Sequence, residues 1–396
     1  MASGAGTYTT VEGTGRPHEL MKSGVSVLPV PSPTHVQSPF EALSLVLRSF
    51  VRRDAISDAL LGCGLWDDVL RLATSFGVGA PVVSYLQDYA LAEELAPYAQ
   101  FLTEYPRRVR AKNKFLGQEL GRIERGLAEQ EVRSLAFKGP VLAAYAYGSL
   151  DRRTCADIDL LISPSAFEEA RAWLEAEGYR YSSSVKGRTG EKARQFFDRQ
   201  HSFTRGRSVF HIDLHTGIMP PLSSYAPDFD SLWQRRHAVS MEDYEAQALA
   251  PGDMLLALCH QGIKDRWARL KHVLDVAMAA QPVNGHWDEV LQRATDANSR
   301  RVLLLGLYMA HEVLDAPLPP PVVATIASDW RVQRVGAWAV EKLPRRREEP
   351  DDSLRERIAL HGLIQDSPLG SAQYAFYAAL RKVWYYAEQV WPTPSS

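Results

Sequence analysis

The sequence predicts an α/β (α+β) fold, a mixed-sheet core flanked by N- and C-terminal helical regions. Apolar residues recur at helical spacing before residue 130 and again after Pro251. Between those stretches lie short strand-like runs punctuated by Gly and Pro, which mark the α/β part. The length of 396 residues, with 45% hydrophobic and 23% charged residues, is enough for about two to three domains with a large buried core.

Residues 1–36 are rich in Gly, Ser, Thr and Pro without periodicity and are expected to form a disordered tail. They hold no uninterrupted apolar run behind a basic start, so they do not read as a secretory signal. From residue 37 to 130 helical spacing sets in, with Phe40, Leu43, Leu45, Val46 and Phe50, then Leu65, Val69, Leu70 and Leu72, then Val82, Val83, Leu86 and Tyr89. A long charged helix, roughly 93–130, follows with Phe101, Phe115, Leu120, Ile123 and Leu127 as its apolar stripe.

Residues 131–250 are expected to form the α/β core. A short strand at 132–137 is broken by Lys138-Gly139-Pro140, which opens a helix, and 157–162 is a second strand. An amphipathic helix at 164–177 is stopped by Gly178. Strands are expected at 179–185 and 201–205, and Gly206-Arg207 turns the latter into 209–215 as a hairpin. From 251 to 396 the pattern is helical, with breaks near 282–285, 316–321, 344–350 and 367–370.

Successive strand residues face opposite sides, which sorts the side chains of the two best-patterned strands. Ile158, Leu160 and Ile162 form an apolar face, leaving Asp157 and Asp159 together on the other. Likewise Phe210, Ile212 and Leu214 are expected inside, with His211, Asp213 and His215 opposite. Two carboxylates at i and i+2 plus a third from a neighbouring strand suit hard divalent cations, which could clamp the attacking and leaving oxygens of a phosphoryl transfer. Asp228 and Asp230 have the same spacing but fall in a Pro/Ser-rich stretch, where solvated loop carboxylates are expected. Zinc held by His211, Asp213 and His215 is disfavoured, since three ligands along one strand span about 13–14 Å.

These residues carry a resemblance. Leu135-Ala-Phe-Lys138-Gly139-Pro-Val-Leu142, then Arg153, Asp157-Ile-Asp159-Leu-Leu-Ile162 and His211-Ile-Asp213-Leu-His215 resemble the uncharacterised nucleotidyltransferase family of the DNA polymerase β-like superfamily. His260 to Ala277, with Lys264, Trp267, Leu270 and Asp275, is similar to that family's later helical signature, and the likeness spans roughly 115–280. The resemblance implies a minimal nucleotidyltransferase core in which Asp157, Asp159 and Asp213 bind Mg²⁺ or Mn²⁺, with Asp213 also helping to deprotonate the acceptor. It places Lys138-Gly139 at the phosphate turn. Pro140 departs from the superfamily pattern there, lacking an N–H. Gly148-Ser149 is the second candidate, eight residues before Asp157. Arg153 matches the family's arginine, Asp265 stands where the family often has histidine, and Trp267 with Leu270, Leu274 and Ala277 reads as core.

The expected nucleotide-binding set is therefore Lys138, Gly139, Ser149, Arg153 and Lys264. His215 is expected to contact the acceptor, as is His260, which shares a helix face with Lys264. Lys264, Arg266, Arg269 and Lys271 add positive charge whose other reading is a solvated helix face. The implied reaction moves NMP from an NTP, ATP foremost, to a nucleophile on a small molecule or peptide. Transfer to tRNA or protein, and a non-catalytic partner-binding role on a degenerate core, remain open. A glycosyltransferase using the Asp157/Asp159 pair is disfavoured by the roughly 130 largely helical residues ahead of that strand, where such enzymes place a nucleotide-binding βαβ unit. A formal charge of -2 makes nucleic acid a less favoured partner. No run approaches a membrane span, and Cys63, Cys155 and Cys259 are scattered without a CxxC, so a reducing cytoplasm is the expected location.

Overall fold

The computed structural model describes residues 36–181, 199–206, 210–219, 227–283, 285–344 and 360–390. The expected tail, apart from Val36, lies outside the described residues, as does most of the segment between the strands expected at 179–185 and 201–205.

Seven strands form one mixed sheet: β1 (Ser134–Ala136), β2 (Ile158–Ile162), β3 (Arg180–Tyr181), β4 (Gln200–Arg205), β5 (Phe210–His215), β6 (His237–Met241) and β7 (Tyr244–Ala248). Their order is β3-β4-β5-β2-β1-β7-β6. β2 runs parallel to β5 and antiparallel to β1, while β4 and β5 form the expected antiparallel pair. The hairpin of β6 and β7 was not anticipated. It joins the sheet by a parallel contact between Ala248 and Ala136.

The strand β2 is buried along its whole length rather than on one face alone. Ile158, Leu160 and Ile162 enter a core with Phe203, Ile212 and Leu214, whereas Leu161 on the other face joins a second core made by the flanking helices. That second core takes residues from both ends of the chain. It includes Leu43 and Leu47 of α1 (Pro39–Arg52) as well as Leu303 and Leu307 far downstream. Ser38 starts α1 by accepting the Glu41 N–H at 3.2 Å, with Pro39 in the first turn.

Four further helices lead to the sheet: α2 (Asp58–Leu61), α3 (Trp66–Ser75), α4 (Gly79–Leu86) and α5 (Ala99–Glu129). The long helix begins six residues later than expected because Pro97 lies in a 3-10 stretch, Glu93–Tyr98, ahead of it. Leu120, Ile123 and Leu127 of the expected stripe are buried, joined by Leu102 and Leu116, while Phe101 and Phe115 are exposed. Phe115 instead stacks on Phe210 at 4.5 Å. Between strands lie α6 (Gly139–Tyr147), α7 (Phe167–Ala176) and α8 (Phe229–Arg235). Asp228 and Asp230 are exposed, as expected of solvated carboxylates, but Asp228 caps α8, accepting the Ser231 N–H at 3.0 Å, and Asp230 bonds Arg133.

After the sheet come α9 (Pro251–Lys264) and α10 (Leu270–Ala280). The signature segment is thus two helices rather than one. Arg266 and Trp267 take left-handed φ values of 54° and 55° between them. The Trp267 indole fills the space beside Gly262, where a Cβ would lie 2.4 Å from the ring. Further along, the described residues include α11 (Trp287–Asp296), α12 (Arg300–Leu314), α13 (Pro320–Ser328), α14 (Trp330–Lys342) and α15 (Pro368–Val390).

One buried ion pair ties the sheet to α10. The Arg153 guanidinium donates to both Asp275 oxygens, at 2.7 and 3.0 Å, and to the Gly139 carbonyl at 3.2 Å. The Tyr147 hydroxyl donates to the same carboxylate at 2.7 Å. Burial raises the Asp275 carboxyl, but Arg153 outweighs it and holds the group below its ordinary value.

Removing one partner of such a pair leaves an uncompensated buried charge. Asp275→Ala is therefore expected to lower unfolding stability by about 3–5 kcal/mol in urea titration. Because the folded Asp275 pKa is depressed, the wild-type contribution is full above the unfolded aspartate value and declines as pH falls through the folded one. The gap between wild type and variant should narrow in acid. A gap independent of pH would show that Asp275 does not act through its charge.

Candidate active site

Parallel pairing of β2 with β5 sets Asp159 beside Asp213 and Leu161 beside His215. The two-residue period of β5 turns Asp213 and His215 to one face, so three side chains from two strands converge. Ligand atoms of Asp159, Asp213 and His215 all lie within 4.8 Å of one another. His215 Nε2 is 3.1 Å from Asp159 Oδ1. Asp213 is held from β4, where Gln200 Nε2 and Ser202 Oγ donate to its two oxygens at 2.7 and 2.6 Å. Asp157 immediately precedes β2 and lines the same cleft, a cavity of about 250 Å³, outside that tightest group.

Lys138 faces the acids at the start of α6. Its Nζ is 3.7 Å from Asp159 Oδ1 and 3.3 Å from Gln261 Oε1. Gln261 in turn donates to Asp265 at 2.6 Å, so one amide links Lys138 to the end of α9. The next residue, Gly139, has φ +56°, and a Cβ there would stand 2.9 Å from the Asp157 carbonyl. Only glycine allows α6 to start this close to the strand that carries the acids.

The neighbouring acids differ in charge state for identifiable reasons. Burial raises the Asp157 carboxyl above its ordinary value, and Asp159 and Asp213 raise it further by repulsion. Asp159 is more deeply buried, yet Lys138 and the His215 hydrogen bond hold it well below the carboxylate range. Burial pulls His215 below the usual imidazole value against the attraction of Asp159. Confined carboxylates that repel each other are the donor set that hard divalent cations neutralise, so the residues fit Mg²⁺ or Mn²⁺.

The remaining expected residues are placed unequally. Lys264, at the end of α9, is exposed and lines the cleft. His260 does not reach it: the ring is buried and paired with Ser299 Oγ at 3.0 Å, so the shared helix face does not point to the cleft. Ser149 also lies away from the cleft lining. Gly148 ends α6 in the left-handed conformation, and Ser149 bonds Asp151, at the opposite end of the helix from Gly139. Arg153 borders the cavity, but four of its five N–H groups are engaged by Asp275, Gly139 and Cys155, a setting that suits positioning more than phosphate clamping. His211 is exposed.

Gln200, Ser202 and Gln261 escaped the sequence reading. The first two become visible only through the register of β4 on β5, and Gln261 lies within the signature segment without any pattern to single it out. Lys271 is not on a solvated helix face but lines the cleft with Arg269.

A family model described as uncharacterised nucleotidyltransferase matches residues 63–315. No curated protein matches the chain. Among the described residues no helix is long and apolar enough to cross a membrane.

Since burial and then its acidic neighbours raise the folded Asp157 pKa, the metal-free protein bears a penalty that appears as pH rises through the unfolded aspartate value. Asp157→Asn should raise the melting midpoint in EDTA at pH 7, and the advantage should vanish near pH ~3, where the carboxyl is protonated in both states. Equal or lower midpoints for the variant at pH 7 would remove Asp157 from the repelling cluster.

Proposed function

Because the chain belongs to the uncharacterised nucleotidyltransferase family, we propose that it transfers NMP from an NTP, ATP foremost, to a nucleophile on a small molecule or peptide, releasing pyrophosphate. The observation that carries this reading is the cleft itself, with Asp157, Asp159 and Asp213 on the sheet and Lys138 and Lys264 among the other lining residues. In the step, an acceptor hydroxyl oxygen bonds the α-phosphorus as the bond to the bridging α–β oxygen breaks. Pyrophosphate departs with that electron pair.

Asp213 is the base in this reading. It takes the acceptor proton, and the bonds from Gln200 and Ser202 fix the direction of its oxygens. Neutral His215 orients the acceptor beside Asp159. Lys138 neutralises phosphate charge at the start of α6, and Lys264 meets the outer phosphates from the rim. A divalent cation held by Asp157, Asp159 and Asp213 supplies further charge neutralisation at the reacting phosphate. Most of the rate enhancement then comes from positioning and electrostatics.

Titration calorimetry should show ATP binding in Mg²⁺ that weakens on adding EDTA, and equal affinity in both would sink the metal-dependent reading. With an identified acceptor, Asp159→Asn should lower kcat by at least about a hundredfold while the fold is retained. Near-wild-type turnover would take Asp159 out of the site.

Lys264→Ala should weaken ATP by about ten- to a hundredfold while leaving AMP nearly unchanged, the loss of one charge-assisted contact to an outer phosphate. An unchanged ratio of the two dissociation constants would reduce Lys264 to a solvated side chain.

A further inference from the structure

Lys271 is a cation of the cleft whose side chain is held along its length. Its backbone N–H donates to the Phe76 carbonyl at 3.3 Å, and its side-chain carbons pack over Gly77, where a Cβ would lie 3.3 Å from the lysine Cδ. Gly77 has φ +74°, so a glycine turn between α3 and α4 leaves room for the stem. The ammonium reaches the loop ahead of β2 and donates to the Thr154 carbonyl at 3.2 Å, three residues before Asp157. An ammonium has three N–H donors, and among the described residues no other hydrogen bond occupies this one. The charge thus lines the cleft with two donors to spare on the side where Asp157 enters it.

We propose that Lys271 binds the α-phosphate of the nucleotide, the phosphate at which transfer occurs, and stabilises the charge that builds there. The inference rests on the nucleotidyl-transfer reading and assigns this lysine a different place from Lys264. Lys264 is exposed at the end of α9 and suits outer phosphates, whereas Lys271 is tethered beside the strand carrying the acids. Arg153 is otherwise committed, since Asp275, Gly139 and Cys155 engage four of its five N–H groups. The electrostatics agree. Repulsion from Arg153 and then burial hold the lysine pKa below its ordinary value, an unfavourable setting for a cation that an anionic phosphate would relieve.

The test compares AMP, ADP and ATP binding at fixed Mg²⁺ and ionic strength for wild type, Lys271→Met and Lys271→Arg. All three nucleotides carry the α-phosphate, so Lys271→Met should weaken each by a similar factor of about ten- to a hundredfold. Lys271→Arg should recover much of the loss. AMP affinity unchanged in Lys271→Met would overturn the assignment. A wild-type chain that binds none of the three would instead overturn the nucleotidyl-transfer reading, so the two failures are distinguishable. A second measurement needs no variant and excludes a purely tethering role. Acetic anhydride footprinting of the wild-type chain, read by mass spectrometry, should show Lys271 acetylation slowed by AMP with Mg²⁺, and Lys264 acetylation slowed by ATP but not by AMP. A lysine that only holds Thr154 would acetylate at the same rate with and without nucleotide, which would also overturn the proposal.

Discussion

The arrangement depends on the Arg153–Asp275 pair more than on any other single contact. One guanidinium joins three pieces of chain: the loop that leads to Asp157, the first residue of α6 at Gly139, and the middle of α10, which lies 122 residues further on. Burying two charges is expensive, and the cost is offset only when geometry is bidentate and the remaining polar atoms are satisfied. Both conditions hold here, since Tyr147 also donates to the carboxylate. The pair is therefore better understood as fixing relative position than as adding net stability. The start of α6, the loop into β2 and the helix α10 cannot shift independently while it is formed.

Within the frame so fixed, the cleft keeps opposite charges near each other without letting them cancel. Asp159 has Lys138 and His215 close by and stays ionised, whereas Asp157 is dominated by burial and like charge. Two aspartates two residues apart thus have opposed shifts, and the difference comes from what each faces. Gln261 adds a neutral link between Lys138 and Asp265, so the sheet side and the helical side are joined by hydrogen bonds as well as by charge. Such prearranged polar groups cost little reorganisation when charge develops on a bound phosphate.

The parts of this legible in the sequence were those governed by a local period. Alternation in 157–162 and 209–215 correctly grouped the apolar residues and set Asp213 and His215 on one face. The partnership of Asp159 with Asp213 and His215 needed the register between two strands, which no local period encodes. The β6–β7 hairpin was passed over because Val239 is the only β-branched residue in its two strands. Helical spacing misled where a helix is buried nearly all round: α9 has buried residues from Gly252 to His260 without a break, so sharing a face with Lys264 could not tell which neighbour His260 meets. Phe101 and Phe115 failed for the converse reason. On a long charged helix the largest apolar residues are not the ones that point inward, and the smaller leucines beside them do.

The shared helical core also governs when, during synthesis, the molecule can become itself. Arg48 of α1 donates to the carbonyls of Val313 and Glu312, more than 260 residues downstream, and Leu43 and Leu47 bury against helices near that point. At about 5–20 residues per second, the partners of α1 leave the ribosome roughly 10 to 50 s after it does. During that interval the apolar sides of the first helices and the sheet face beneath Leu161 await their cover, and one wall of the cleft does not yet exist. The nascent chain therefore presents adhesive surface for a long time and a complete site only at the end, so the acids of β2 and β5 do not meet the signature helices until most of the protein has been made.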